Sequence, residues 1–226
     1  MNLFKKQSEA QRFLLRLVPK GFWWWTSGVA ADRVKLDSLA AKFSEFYGTD
    51  LKPHQRSWRK KKGLANAHFV AAPMPTNQME GGYIWFLITT DGAGPVRENS
   101  KLKDARTNPG RALWGDYVLY ESQRHRAEGG GTRWSWHIKP AVQKQIDYHI
   151  GQLLKTAPNE LVGFLAMQLK RPMHHGIRTY LTRLIRRAHQ NWGRMHPGKE
   201  WRAWDPAKPL PSFGQYKKNE LEDEEE

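Results

Sequence analysis

Apolar residues recur at two different spacings along this 226-residue chain, and the change near Pro140 divides it. Before that point most apolar positions come in short runs bounded by Gly, Pro and Asn, as expected of strands and hairpins. Arg12 to Val18 and Phe22 to Thr26 read as two strands joined by a hairpin-like turn at Pro19-Lys20-Gly21. Between Asp32 and Tyr47 the spacing is helical instead: Val34, Leu36, Leu39, Ala40, Phe43, Phe46 and Tyr47 share a stripe, and Gly48 provides a stop. Residues 52–63 are too polar for a core element and read as a loop or a short helix. Leu64 to Ala72 and Tyr83 to Thr90 form a second candidate strand pair, separated by the turn-like stretch 73–82. Residues 91–110 are polar, with a short turn near Leu102. Asp116 to Glu121 and Thr132 to Ile138 complete the strands, joined by the polar segment 122–131 that ends in three glycines.

After Pro140 the spacing is helical over Ala141 to Lys155, Glu160 to Lys170 and Gly176 to Arg194, with breaks marked by Pro158 and Pro172. The segment after Pro197, with Trp201, Trp204 and three prolines, reads as extended, and the acidic terminus as disordered. Strands first and helices last predict an α+β fold. The expected architecture is a mainly antiparallel sheet of about five to six strands with one N-terminal helix and a C-terminal helical layer or subdomain. The expected divisions are 1–138, 139–196 and 197–226.

Charge sharpens this picture. The formal net charge is +15, yet Glu220 to Glu226 carry six of the 22 acidic side chains, so the remainder holds 37 basic against 16 acidic residues, or +21. Such an excess attracts polyanions. Cysteine is absent, which removes disulfides, thiolate metal sites and cysteine nucleophiles and fits a reducing compartment. Phe13 to Val18 is interrupted by Arg16 and lacks a cleavage site, so no secretion signal is read. No apolar run approaches the roughly 20 residues of a membrane span. A cytoplasmic protein without a membrane partner is the expectation.

Eleven tryptophans accompany the 37 Lys and Arg residues, and the two often share a segment. Cationic side chains attract phosphates irrespective of base sequence, and indole rings stack on unpaired bases. The expected partner is therefore nucleic acid, DNA or RNA, with single strands slightly preferred. Trp58 lies in the densest basic run, among Lys52, Arg56, Arg59, Lys60, Lys61 and Lys62. Those neighbours need water or phosphate, so the run is either a backbone-binding surface or a solvated basic loop. In the last helix, Ile177, Leu181, Leu184, Ala188 and Trp192 make one stripe, while Arg178, Arg183, Arg186, Arg187 and Arg194 occupy the rest with no acidic residue between Gly176 and Arg194. Phosphate contact is the favoured reading, in a three-helix unit resembling a helix-turn-helix. Trp201 and Trp204, beside Lys199, Arg202 and Lys208, are further contact candidates. Trp23, Trp24, Trp25, Trp85, Trp134 and Trp136 lie in candidate strands, where burial is the commoner use of an aromatic ring. Strict alternation there places Trp23 and Trp25 on one face and Trp24 on the other.

The sequence carries no reaction signature, and the catalytic residues are unknown. His174, His175, His189 and His196 share a basic region without metal-ligand spacing, and Asp91, Glu98, Asp104, Asp116 and Glu121 match no nuclease motif. No metal or cofactor is expected. Tyr180 is a conceivable strand-transfer nucleophile, although a packed tyrosine beside Leu181 fits the same residues. Gly92-Ala-Gly94 lacks the Gly-Lys-Ser/Thr of a phosphate loop. The alternatives to a binding protein are a nuclease, nickase or relaxase-type accessory, or a structural subunit of a nucleoprotein or mobile-element assembly. The acidic tail is expected either to lie over the basic surface as a polyanion mimic or to aid solubility.

Overall fold

A computed structural model describes residues 1–74, 79–123 and 129–211 of the chain. The turn expected over 73–82 and the tip over 122–131 lie partly outside these residues, and the acidic tail lies wholly outside them. The protein is α+β, with a five-stranded mixed sheet, a three-stranded antiparallel sheet and seven α-helices among the described residues. Two compact units are formed. The first is Met1–Ala112 with Tyr120–Trp134, and the second is Leu113–Leu119 with the chain from Ser135 onward.

The first unit is built on the order β1-β3-β4-β2-β5, from β1 (Asn2–Leu3), β2 (Phe22–Ala30), β3 (Ala67–Pro73), β4 (Tyr83–Thr90) and β5 (Lys103–Asp104). Only β1, parallel to β3, departs from antiparallel pairing. Cross-strand register shows what each face buries. Phe69, Ala71 and Trp85 pack with Ala30 against Leu36, Leu39, Ala40 and Phe43 of α2 (Arg33–Tyr47). His68, Phe22 and Phe13 meet on the opposite face, with ring centroids 5.0–5.7 Å apart, and Phe13 belongs to α1 (Gln7–Leu17). Gly28 is needed at its place in β2, because a Cβ there would come within 2.6 Å of the Trp85 indole.

The expected strand over Arg12 to Val18 is instead the end of α1, followed by a tight turn at Val18–Lys20. Its apolar residues, broken only by Arg16, fit either period, and the buried set Ala10, Gln11, Leu14 and Leu17 repeats every three to four residues. The first unit therefore has more helices than the single one expected: α1, α2, α3 (Pro53–Lys61) and the short α4 (Pro95–Glu98). Helix α2 starts and stops as its sequence predicts. Asp32 accepts a hydrogen bond from Lys35 N at 2.7 Å, and Gly48 ends the helix at φ 65°.

The second sheet runs β6 (Ala112–Trp114), β7 (Tyr117–Gln123), β8 (Thr132–Ile138), and the division between the units passes through β7 and β8. In the second unit Trp114 and Trp136 are fully buried and meet edge to face at 6.4 Å. Helices α5 (Pro140–Thr156), α6 (Glu160–Leu169) and α7 (His175–Met195) pack on one another. Their core includes Ile146, Ile150, Leu161, Leu165, Ile177, Leu181 and Leu184. Gly176 permits close approach at the start of α7, where a Cβ would lie 2.3 Å from the His137 ring.

One titration is coupled to this packing. Burial, reinforced by the positive charges of Arg56 and Lys20, lowers the His68 pKa from 6.5 to about 3. The unfolded chain therefore binds a proton that the folded chain refuses. The associated stability is complete above pH 6.5 and is lost as the pH falls from there toward 3. His68→Phe should flatten the acid side of a plot of urea-unfolding midpoint against pH. An unchanged acid slope would assign the loss to another group.

Candidate nucleic-acid interface

Helix α3 carries the basic run, and its ends follow from local sequence. Pro53 occupies the first turn, Lys52 N donates to Gln55 Oε1 at 2.8 Å, and Gly63 at φ 70° turns the chain out. Arg59, Lys60 and Lys61 in the last turn also suit the negative end of the helix dipole.

Two of the arginines face inward. The half-buried Arg56 guanidinium donates to Leu51 O at 2.9 Å, Ala67 O at 2.6 Å and Thr49 O at 2.7 Å. Arg59 donates to Ala65 O through Nε at 3.1 Å and Nη2 at 2.8 Å. Together they join α3 to the segment before it and to the start of β3, so these two candidates act in the structure as clamps. On the outside stand Lys52, Lys60, Lys61 and Lys62, all exposed, with Trp58 57% exposed among them. No ring contact or hydrogen bond involves the Trp58 side chain among the described residues.

The arginines of α7 divide in a similar way. Arg187 pairs with Asp147 of α5, so an acidic partner absent from its own helix is supplied by a neighbouring one. Arg186 reaches Pro206 O at 3.5 Å. Arg183 and Arg194 are exposed and Arg178 is partly so, and none of the three has an acidic partner among the described residues. Trp201 and Trp204 are both half-buried. The Trp201 ring packs 5.9 Å from Trp192 and 5.3 Å from His189, its Nε1 donates to Trp204 O at 3.0 Å, and Trp204 Nε1 donates to Lys208 O at 3.4 Å. The segment expected to be extended is folded back against the end of α7.

Tyr180 is a buried structural residue. Its hydroxyl lies 3.0 Å from Asp147 Oδ1 and 3.2 Å from Gln143 O, and burial together with Asp147 raises its pKa well above the ordinary phenol value. Such a hydroxyl stays protonated, opposite to what a nucleophile requires. Among the described residues no three His, Asp or Glu side chains gather to hold a metal ion. No helix of the described residues is long and apolar enough to cross a membrane.

A further cluster of the first unit combines indoles and cations that strand alternation places on different faces. Residue pairing shifts between Phe22↔Thr90 and Trp24↔Thr89, leaving Trp23 as the extra residue of a bulge in β2. Alternation accordingly fails: Phe22 and Trp25 share the α1 face, where Trp25 stacks on Phe86 at 5.5 Å, and Trp24 faces the other way. Arg97 lies 3.6 Å over the Trp24 ring, Arg106 lies 4.3 Å over Trp23, and Trp24 Nε1 donates to Asp91 Oδ1 at 2.6 Å. Arg106 is itself held by Asp104 through Nε at 2.9 Å and Nη2 at 2.7 Å. Arg97 and Arg106 stand well apart in a polar segment, and their spacing gives no sign of this in the sequence. Gly92 allows the segment to approach residues 63–65, since a Cβ there would lie 2.6 Å from Ala65 N.

No protein-family profile matches the chain, nor does any curated protein or solved structure. The functional reading rests on the residues alone.

The inward and outward positions of α3 should separate in experiment. Arg56→Ala leaves three carbonyl acceptors without their donor and should cost about 2–3 kcal/mol of stability, whereas Lys61→Ala should stay within about 0.5 kcal/mol. Urea unfolding followed by circular dichroism distinguishes the two.

Proposed function

We propose that this protein binds nucleic acid through its phosphates, with the outward side of α3 as a principal contact and single strands preferred over duplex. The observation that carries the reading is Trp58. A large indole 57% exposed on a helix whose outward charges are all lysines sets an open ring face beside phosphate-seeking charge, the combination that stacking on an unpaired base uses. Lys52, Lys60, Lys61 and Lys62 supply sequence-independent attraction to phosphate. In the second unit Arg178, Arg183 and Arg194 support the same reading independently, as cations without acidic partners among the described residues. Base-specific readout is not part of the proposal. Phosphate contacts position a protein on nucleic acid without reading its sequence.

Fluorescence-anisotropy titrations of matched single-stranded and duplex DNA and RNA across a salt series test the proposal. If about six phosphates are neutralised, affinity should fall roughly 10³-fold between about 50 and 200 mM salt. Trp58→Ala should weaken single-strand binding by about tenfold and duplex binding little. Lys61→Ala should weaken every nucleic acid alike and reduce the salt slope by about one. A flat salt response would defeat the reading.

A further inference from the structure

The first unit contains a groove of about 1150 Å³ beside α3, and its lining includes Lys20, Trp23, Lys60, Asn66 and His68. We propose that this groove receives one unstacked nucleotide of a bound single strand, with the base against Trp23 and its flanking phosphates at Lys20 and Lys60. The inference rests on the nucleic-acid reading above and assigns it a specific pocket.

Size permits the assignment. Pockets that enclose small ligands span about 300–1000 Å³, so a groove of this volume has room for a base, its sugar and adjoining phosphate. The bulge in β2 gives the wall its stacking surface. By adding one residue to the strand it takes Trp23 out of the pairing that sets Phe22 and Trp25 on one buried face, and the half-buried ring lines the groove. The indole is also held in place: the Arg106 guanidinium lies 4.3 Å over it, anchored in turn by Asp104. A ring fixed before binding loses little freedom when a base stacks on it.

Polar groups in the groove are incompletely satisfied. Asn66 is only 6% exposed and donates from Nδ2 to Arg56 O at 3.0 Å, yet its Oδ1 has no donor among the described residues. His68 Nδ1 is likewise shielded and without a partner among them. An unpaired buried acceptor is costly, and the amino and imino edges of bases carry the N–H donors that would relieve it. Charge favours the same ligand. Lys20 and Lys60 are exposed at the groove, whereas Asp91, an acid of its lining, is already bonded to Trp24 Nε1 at 2.6 Å and lies 3.8 Å from Arg106. Asp50 remains as the other lining acid, its carboxylate held by the Ser44 hydroxyl and, at longer range, by the Arg56 charge. Lys60 belongs both to the groove and to α3, so a strand held by the outward lysines passes the groove entrance.

Cross-linking of the unaltered protein provides the direct test. A short single-stranded oligodeoxynucleotide carrying iodouracil is bound, irradiated and digested, and the adduct is located by mass spectrometry. Attachment at Trp23 is the expected result. Adducts confined to Trp58 or Trp201 while the strand is bound would overturn the groove assignment and leave nucleic-acid binding standing, whereas failure to bind the strand would overturn both. A second measurement uses variants. Trp23→Leu should weaken single-strand binding by roughly tenfold with duplex binding unchanged, and Trp23→Phe should restore most of the loss. Equal losses for single strand and duplex would also overturn the assignment.

Discussion

The Arg56 guanidinium imposes the constraint on which the candidate interface depends. A cation on the inner side of a short, strongly basic helix must find acceptors, and here it finds the carbonyls of Thr49, Leu51 and Ala67. Those carbonyls come from both sides of α3 in the chain, so one side group ties the helix to the segment before it and the strand after it. Arg59 repeats the device at Ala65. With two positions of the helix committed inward, its rotation is set, and Trp58 and the lysines stand exposed among the described residues. The planar fork of an arginine can serve several carbonyls at once, which a lysine cannot reproduce.

The coincidence of tryptophan with positive charge thus resolves into three physical situations. At Trp23 and Trp24 the cations lie over the rings, so charge and aromatic surface satisfy each other. At Trp192, Trp201 and Trp204 the rings gather at the end of α7 and their indole N–H groups are taken by nearby carbonyls. Among the described residues, it is at Trp58 that an open ring and lysines without acidic partners share one exposed surface. The groove adds an intermediate case: Trp23 is held on one side by Arg106 and still contributes to a concave wall.

How far these arrangements can be read in advance depends on whether their causes are local. Helix α2 is legible because Asp32 and Gly48 act on their own backbone, and β4 because the run Tyr83–Thr90 is too short for a helix and bounded by glycine and aspartate. The Arg12 to Val18 segment is not, since five apolar residues in seven fit both periods and only packing against β3 selects the helix. Nor is the partner of Arg187, because Asp147 lies 40 residues earlier and meets it only when α5 and α7 pack.

The sequence by itself determines the α+β class, the three C-terminal helices, the strongly cationic character of the chain and the segment in which Trp58 is surrounded by charge. Those properties follow from composition and from periodicities of two or 3.6 residues, which act over a few neighbours. Tertiary structure alone decides which cations remain free, which rings are covered and where a groove opens. A charge is free only if no distant carbonyl or carboxylate reaches it, and a single inserted residue at Trp23 redirects a ring that alternation would bury. Both outcomes depend on register between strands and helices far apart in the chain, and that register is a property of the packed whole.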